Sequence, residues 1–78
     1  MNGRRLAELR NQAGLSQEAL GYRAGIHGVH VHKLEVGKAK NPSAATLQAL
    51  AGVLSEALGQ QITVNDLLAE PEPEEATA

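Results

Sequence analysis

Seventy-eight residues make one domain, and the chain holds no uninterrupted apolar run of the ~18 residues or more that a membrane-spanning helix needs. Ala and Leu supply most of the hydrophobic content, with no Phe, Trp or Cys and a single Tyr, which excludes an aromatic-rich β-sandwich, a disulfide scaffold and a zinc–thiolate site and favours helices. The net charge of −2 argues against a nucleic-acid binder until it is divided along the chain: residues 1–40 carry all 7 basic residues against Glu8, Glu18 and Glu35, a balance of +4.

The first predicted helix places Leu6, Leu9 and Ala13 along one face, with Arg4 and Glu8 four apart on the solvent side. Gly14 stops it, because a glycine just past the last turn takes the left-handed conformation and lets Leu15 fold back. Ser16 is a good N-cap for a second helix, SQEALGYRA, with Glu18 in its first turn where the dipole favours an acid. That helix stops at Gly25. A third short helix covers roughly residues 27–36, with Val31 and Leu34 inward and Gly37 at its end. Pro42 disfavours helical geometry at the residue before it, so GKAKNP is a loop. Ser43 caps a fourth helix with Leu47, Leu50, Ala51 and Leu54 on one face, extending to Leu58 before Gly59. Thr63 and Asp66 have the spacing of a capping box and open a short fifth helix, VNDLLA. The fold class is therefore all-α, with residues 1–69 as the domain. Residues 70–78, EPEPEEATA, combine helix-breaking prolines with Glu70, Glu72, Glu74 and Glu75, and are expected to form a disordered acidic tail.

The second and third helices are joined by a short turn containing glycine, the connection that a helix-turn-helix requires. Such a pair crosses near a right angle, so it needs a small residue at the crossing, a glycine in the turn and apolar residues to lock the two helices. Gly21, Gly25 and the set Leu20, Ala24, Ile26, Val31 and Leu34 meet those needs.

Over roughly residues 6–68 the chain resembles the phage repressor/Cro-type (XRE-like) helix-turn-helix family. The specific motifs are GLSQE at residues 14–18, AGI at 24–26, LEVGK at 34–38 and NPS at 41–43. The resemblance implies a compact five-helix, lambda-repressor-like DNA-binding domain that acts as a homodimer on a two-fold-related operator. Two positions depart from the family pattern. His27 stands where Ser or Thr usually caps the third helix, and Gly28 where a polar, base-reading side chain usually sits; a glycine there weakens the helix by roughly 0.5–1 kcal/mol relative to alanine. The segment SEALGQQIT is also longer than the usual link between helices four and five.

With Val31 and Leu34 inward, a rotation of about 100° per residue turns Val29, His32, Lys33 and Val36 outward, with Gly28 and His30 on the flanks. Gly28, Val29, His32 and Lys33 are the expected base contacts: Lys33 donates to guanine O6 and N7, Val29 meets a thymine methyl, and Gly28 permits close approach. Gln17, His30, Lys38, Lys40 and Asn41 are the expected phosphate contacts, Gln17 because it opens a helix and because the resemblance gives it that role. The resemblance also implies a structural pair between Arg10 and Glu35. His27, His30 and His32 do not make a metal site, since only His27 and His30 are three apart and no Cys or carboxylate completes a tetrahedron. Protonation of these imidazoles would instead add positive charge to the DNA face on acidification.

No nucleophile–base pair or phosphate-cradling loop stands out, so no enzyme chemistry and no cofactor are expected. The N-terminus lacks the apolar stretch of a secretory signal, so the expected location is the cytoplasm. The leading reading is a transcriptional regulator of double-stranded DNA, dimerising through the fifth helix (Val64, Leu67, Leu68). The alternative is the antitoxin component of a toxin–antitoxin pair, which binds a toxin protein and autoregulates its own promoter.

Overall fold

Leucine spacing of three and four residues builds a bundle of short helices that share one aliphatic core. The computed structural model describes residues 1–39 and 41–69; the expected acidic tail and Lys40 lie outside the described residues. The elements are α1 (Gly3–Gln12), α2 (Gln17–Ala24), α3 (Gly28–Glu35), α4 (Ala44–Leu58) and α5 (Val64–Leu68), and among the described residues every regular element is helical.

Each boundary has a chemical cause. The hydroxyls of Ser16, Ser43 and Thr63 accept from the backbone N–H of Ala19, Thr46 and Asp66, capping α2, α4 and α5. At α5 the Asp66 carboxylate accepts the Thr63 N–H at 2.8 Å in return, completing the capping box. Gly14 (φ 72°) and Gly25 (φ 80°) take the left-handed conformation that ends α1 and α2. Asn2 caps α1 through its side-chain oxygen, donates its backbone N–H to the Leu67 carbonyl at 2.8 Å and its amide to the Ala69 carbonyl at 2.7 Å. These bonds tie the start of the chain to the end of α5. The exposed ion pair on α1 joins Arg5 to Glu8 at 3.5 Å, rather than Arg4 to Glu8.

The core consists of Leu6, Leu9, Leu20, Val31, Leu34, Leu47, Leu50, Ala51, Leu54, Ile62 and Leu67. Burying each large aliphatic side chain contributes about 1.5–3 kcal/mol, opposed by the conformational entropy lost on folding. Ile62 reaches the core because Ser55 fastens the link before α5: its hydroxyl accepts the Ile62 N–H at 2.8 Å and lies 2.7 Å from the Ala51 carbonyl and 3.0 Å from that of Ile62. The longer link thus folds back onto α4.

Leu67 departs from its expected role as a dimer contact. Leu67 is 0% exposed and packs in the core beneath α1 and α4, so it is not available to a second subunit. A one-turn helix at the end of a small bundle still has to close that bundle, and Leu67 is the residue that does so. Leu68 remains 39% exposed, and Val64 is half-buried against the core edge.

Candidate nucleic-acid interface

The interface is built on the crossing of α2 and α3, where the two backbones nearly touch. A side chain at Gly21 would come within 2.8 Å of the Ile26 carbonyl oxygen and 2.9 Å of the Gly28 nitrogen. Ile26 N–H donates to the Gly21 carbonyl at 2.8 Å, which fixes the turn. Gly28 meets α2 from the other side: its missing Cβ would lie 2.9 Å from Glu18 Cα and 3.1 Å from Glu18 N. A side chain at this position would therefore run into the start of α2 and not out towards a ligand. Gly28 is a packing requirement, which corrects its reading as an emptied base-reading position. His27 occupies the N-cap of α3 with extended backbone and makes no side-chain cap bond, as its chemistry predicts.

Val31 and Leu34 anchor α3 in the core, which turns Val29, His32, Lys33 and Val36 outward. Val29 is 65% exposed and stands between two shallow depressions. One is lined by Gln17, Glu18, His27, Gly28, Val29 and His32, the other by His27, Val29, His30, Lys33 and Ala39. The expected base-facing side chains therefore share one surface with His30, which is half-buried on its flank. Lys38 and Asn41 are exposed in the segment that follows α3. Glu18 was not foreseen on this surface; its carboxylate can accept from a cytosine amino group but opposes a phosphate.

At its C-terminal end α3 is held by a polar cluster under low solvent exposure. Arg10 Nε donates to Glu35 Oε2 at 2.6 Å and Nη2 donates to Oε1 at 3.1 Å, while Nη1 donates to the Leu15 carbonyl at 2.8 Å. The two side chains are 13% and 6% exposed, so this bidentate pair is strongly sheltered from water. Gln17 extends it, with Nε2 3.0 Å from Glu35 Oε1 and 3.2 Å from His32 Nδ1. Spacing alone puts Gln17 against phosphate and His32 against bases and does not reveal the hydrogen bond that joins them. Gly3 completes the support, since a side chain there would strike the backbone carbonyls of Leu34 and Glu35.

Among the described residues, no group of three His, Cys, Asp or Glu side chains is placed to hold a metal ion, and no helix is long and apolar enough to cross a membrane.

A helix-turn-helix domain profile matches residues 3–58, most of the chain and all of the α1–α4 frame. The chain belongs to the helix-turn-helix domain family. Among solved structures it is similar to one described as the SinR protein/SinI protein complex, at 26% identity and a TM-score of 0.77, covering 99% of this chain and 73% of that one. No curated protein matches it. Profile and fold together support the phage repressor/Cro-type resemblance read from GLSQE, AGI, LEVGK and NPS, and make this helix-turn-helix protein a DNA-binding regulator.

Proposed function

We propose that this helix-turn-helix protein acts as a sequence-specific transcriptional regulator, a cytoplasmic homodimer that lays α3 of each subunit in the major groove of a two-fold-related operator. The observation that carries the reading is the outer face of α3, where Val29, His32 and Lys33 are exposed side by side on a helix whose inner face is locked by Val31, Leu34 and Glu35. Lys33 donates to guanine O6 and N7, and Val29 packs on a thymine methyl. Gly28 contributes only closeness of backbone. Lys38, Lys40, Asn41 and His30 supply phosphate contacts at the edges of the groove. Any phosphate role of Gln17 rests on the first-turn amides of α2, because its side-chain amide nitrogen already faces Glu35 and His32. Val64 and Leu68 on α5 are the proposed dimer contacts, without Leu67.

Two recognition helices related by a two-fold axis read half-sites about 34 Å apart, one turn of B-DNA. Selection of bound sites from random duplex DNA tests this directly, with an enriched palindrome of that spacing as the expected result. Recovery of no enriched palindrome contradicts it.

A second reading has one observation in its favour: the similar structure is a complex of two different proteins. In that reading the chain is an antitoxin that holds a toxin protein and represses its own promoter. A defined stoichiometric complex with a small partner encoded beside it, identified by mass spectrometry, would support this reading over the stand-alone regulator.

A further inference from the structure

The contact between Gln17 and His32 carries more information than its length suggests. Glu35 is pinned by two hydrogen bonds from Arg10, so its Oε1 presents a fixed negative acceptor to Gln17 at 3.0 Å. Only the amide nitrogen of Gln17 can face that oxygen, because the amide oxygen would meet a carboxylate with no proton between them. One amide proton goes to Glu35, and the other is directed at His32 Nδ1, 3.2 Å away. An imidazole nitrogen that receives a proton in this way has to present its lone pair. In the neutral ring of His32 this places the proton on Nε2.

His32 is exposed on the outer face of α3, three residues beyond Val29 and next to Lys33, and it lines the same depression as Gln17 and Val29. With Nδ1 facing Gln17, the atom left for a ligand is Nε2–H, a donor held in one orientation. A relay therefore runs from Arg10 on α1 through Glu35 and Gln17 to a single donor on the recognition face.

We infer that Gln17 is a positioning residue that orients the His32 ring and, in its neutral form, keeps the proton on Nε2, and that His32 so held selects a guanine edge in the major groove. Guanine presents two acceptors there, N7 and O6, whereas cytosine offers only its amino donor, adenine sets an amino donor beside its N7, and thymine has the single acceptor O4 beside a methyl. Lys33 beside His32 is a donor too, so the pair of side chains suits an acceptor-rich edge. This rests on the DNA reading above, and it gives Gln17 a role in base selection where phosphate contact was expected.

The test has two arms on the full chain. In the free protein at alkaline pH, nitrogen NMR of the neutral His32 ring reports the tautomer: the parent should hold almost entirely the Nε2–H form, and Gln17→Met should release it towards a mixture, with circular dichroism confirming the fold. Gln17→Ala repeats the arm with a different side chain. An unchanged tautomer population in both variants overturns the positioning role.

In the second arm, random-duplex selection is run on the parent, Gln17→Met, His32→Ala and the double variant. Each single variant should lose guanine preference at the same base pair by about three- to tenfold, the scale of one neutral hydrogen bond, with the double variant losing no more. If Gln17→Met weakens all sequences equally and keeps its guanine preference, Gln17 is a phosphate contact and the proposal fails. If the parent enriches no sequence, the guanine assignment falls together with the regulator reading, while the tautomer arm still judges the Gln17–His32 bond separately.

Discussion

Arg10→Met strips the Glu35 carboxylate of its guanidinium while keeping much of the apolar stem that packs along α1. In the parent, the pair is 13% and 6% exposed, so the orphaned carboxylate cannot simply rehydrate. It would retain one partner, the Gln17 amide at 3.0 Å. Removing one member of such a sheltered pair costs about 3–5 kcal/mol, most of it the penalty for an uncompensated buried charge. A domain of about 70 residues has a total stability on the order of 4–10 kcal/mol, so the loss is a third of it or more. At roughly 4–8 °C per kcal/mol, Tm should fall by at least about 12 °C. Glu35→Met should be milder, because Arg10 keeps the Leu15 carbonyl at 2.8 Å and its head lies nearer water. The double variant Arg10→Met/Glu35→Met replaces the ion pair with apolar volume and should be more stable than Arg10→Met alone. Thermal and urea unfolding followed by circular dichroism measure all four proteins, with the slope in urea expected to stay constant. A loss below about 1 kcal/mol for Arg10→Met, or single effects that simply add in the double variant, would refute the assignment of this pair as the clamp on α3.

Other outcomes follow from particular positions. His27→Ser should stabilise the domain by about 1 kcal/mol, since α3 begins without a side-chain cap, and calorimetry should register a higher Tm. Gly28→Ala and Gly52→Ala should have opposite signs in urea unfolding. At Gly28 the added carbon meets Glu18 backbone at 2.9 Å, and an overpacking penalty of about 1–3 kcal/mol outweighs the helix propensity gained. At Gly52, inside α4 and open to solvent, nothing lies within 4 Å, so propensity alone acts and contributes about 0.5–1 kcal/mol. Hydrogen bonds from the Thr63 backbone N–H and hydroxyl hold the Asp66 carboxyl below its ordinary value of 3.8. Its folded pKa is depressed, so its contribution is present above pH 3.8 and is lost as pH falls through the lower folded value. Asp66→Asn should flatten that part of the acid limb in thermal unfolding measured on either side of pH 3.8.

The sequence carried the helices and most of the core because both depend on local signals. Ser16, Ser43 and Thr63 announce helix starts, and Leu47, Leu50, Ala51 and Leu54 announce a buried stripe. What it hid depends on the approach of distant segments. Gly28 read as an empty DNA-facing position because propensity describes a residue within its own helix, whereas the constraint comes from the Glu18 backbone on α2. Gly3 is constrained in the same way by α3, 31 residues further along the chain at Leu34. Leu67 looked surplus because a five-residue helix seems too short to need a core residue, yet the bundle is closed by that side chain. Only the family resemblance points to the Arg10–Glu35 pair, and its continuation to Gln17 and His32 depends on how α2 and α3 pack in space.

In the proposed function, the outer face of α3 reads bases while residues beside it hold phosphate. Affinity of the parent, Lys33→Ala and Lys38→Ala for a selected operator and for unrelated duplex, measured across a salt series, tests it most directly. Lys33→Ala should lose about 1–3 kcal/mol on the operator and relax preference at one base pair, whereas Lys38→Ala should weaken both duplexes alike and lower the salt slope by about one. Lys33→Ala binding like the parent, or weakening operator and unrelated DNA equally, would contradict it.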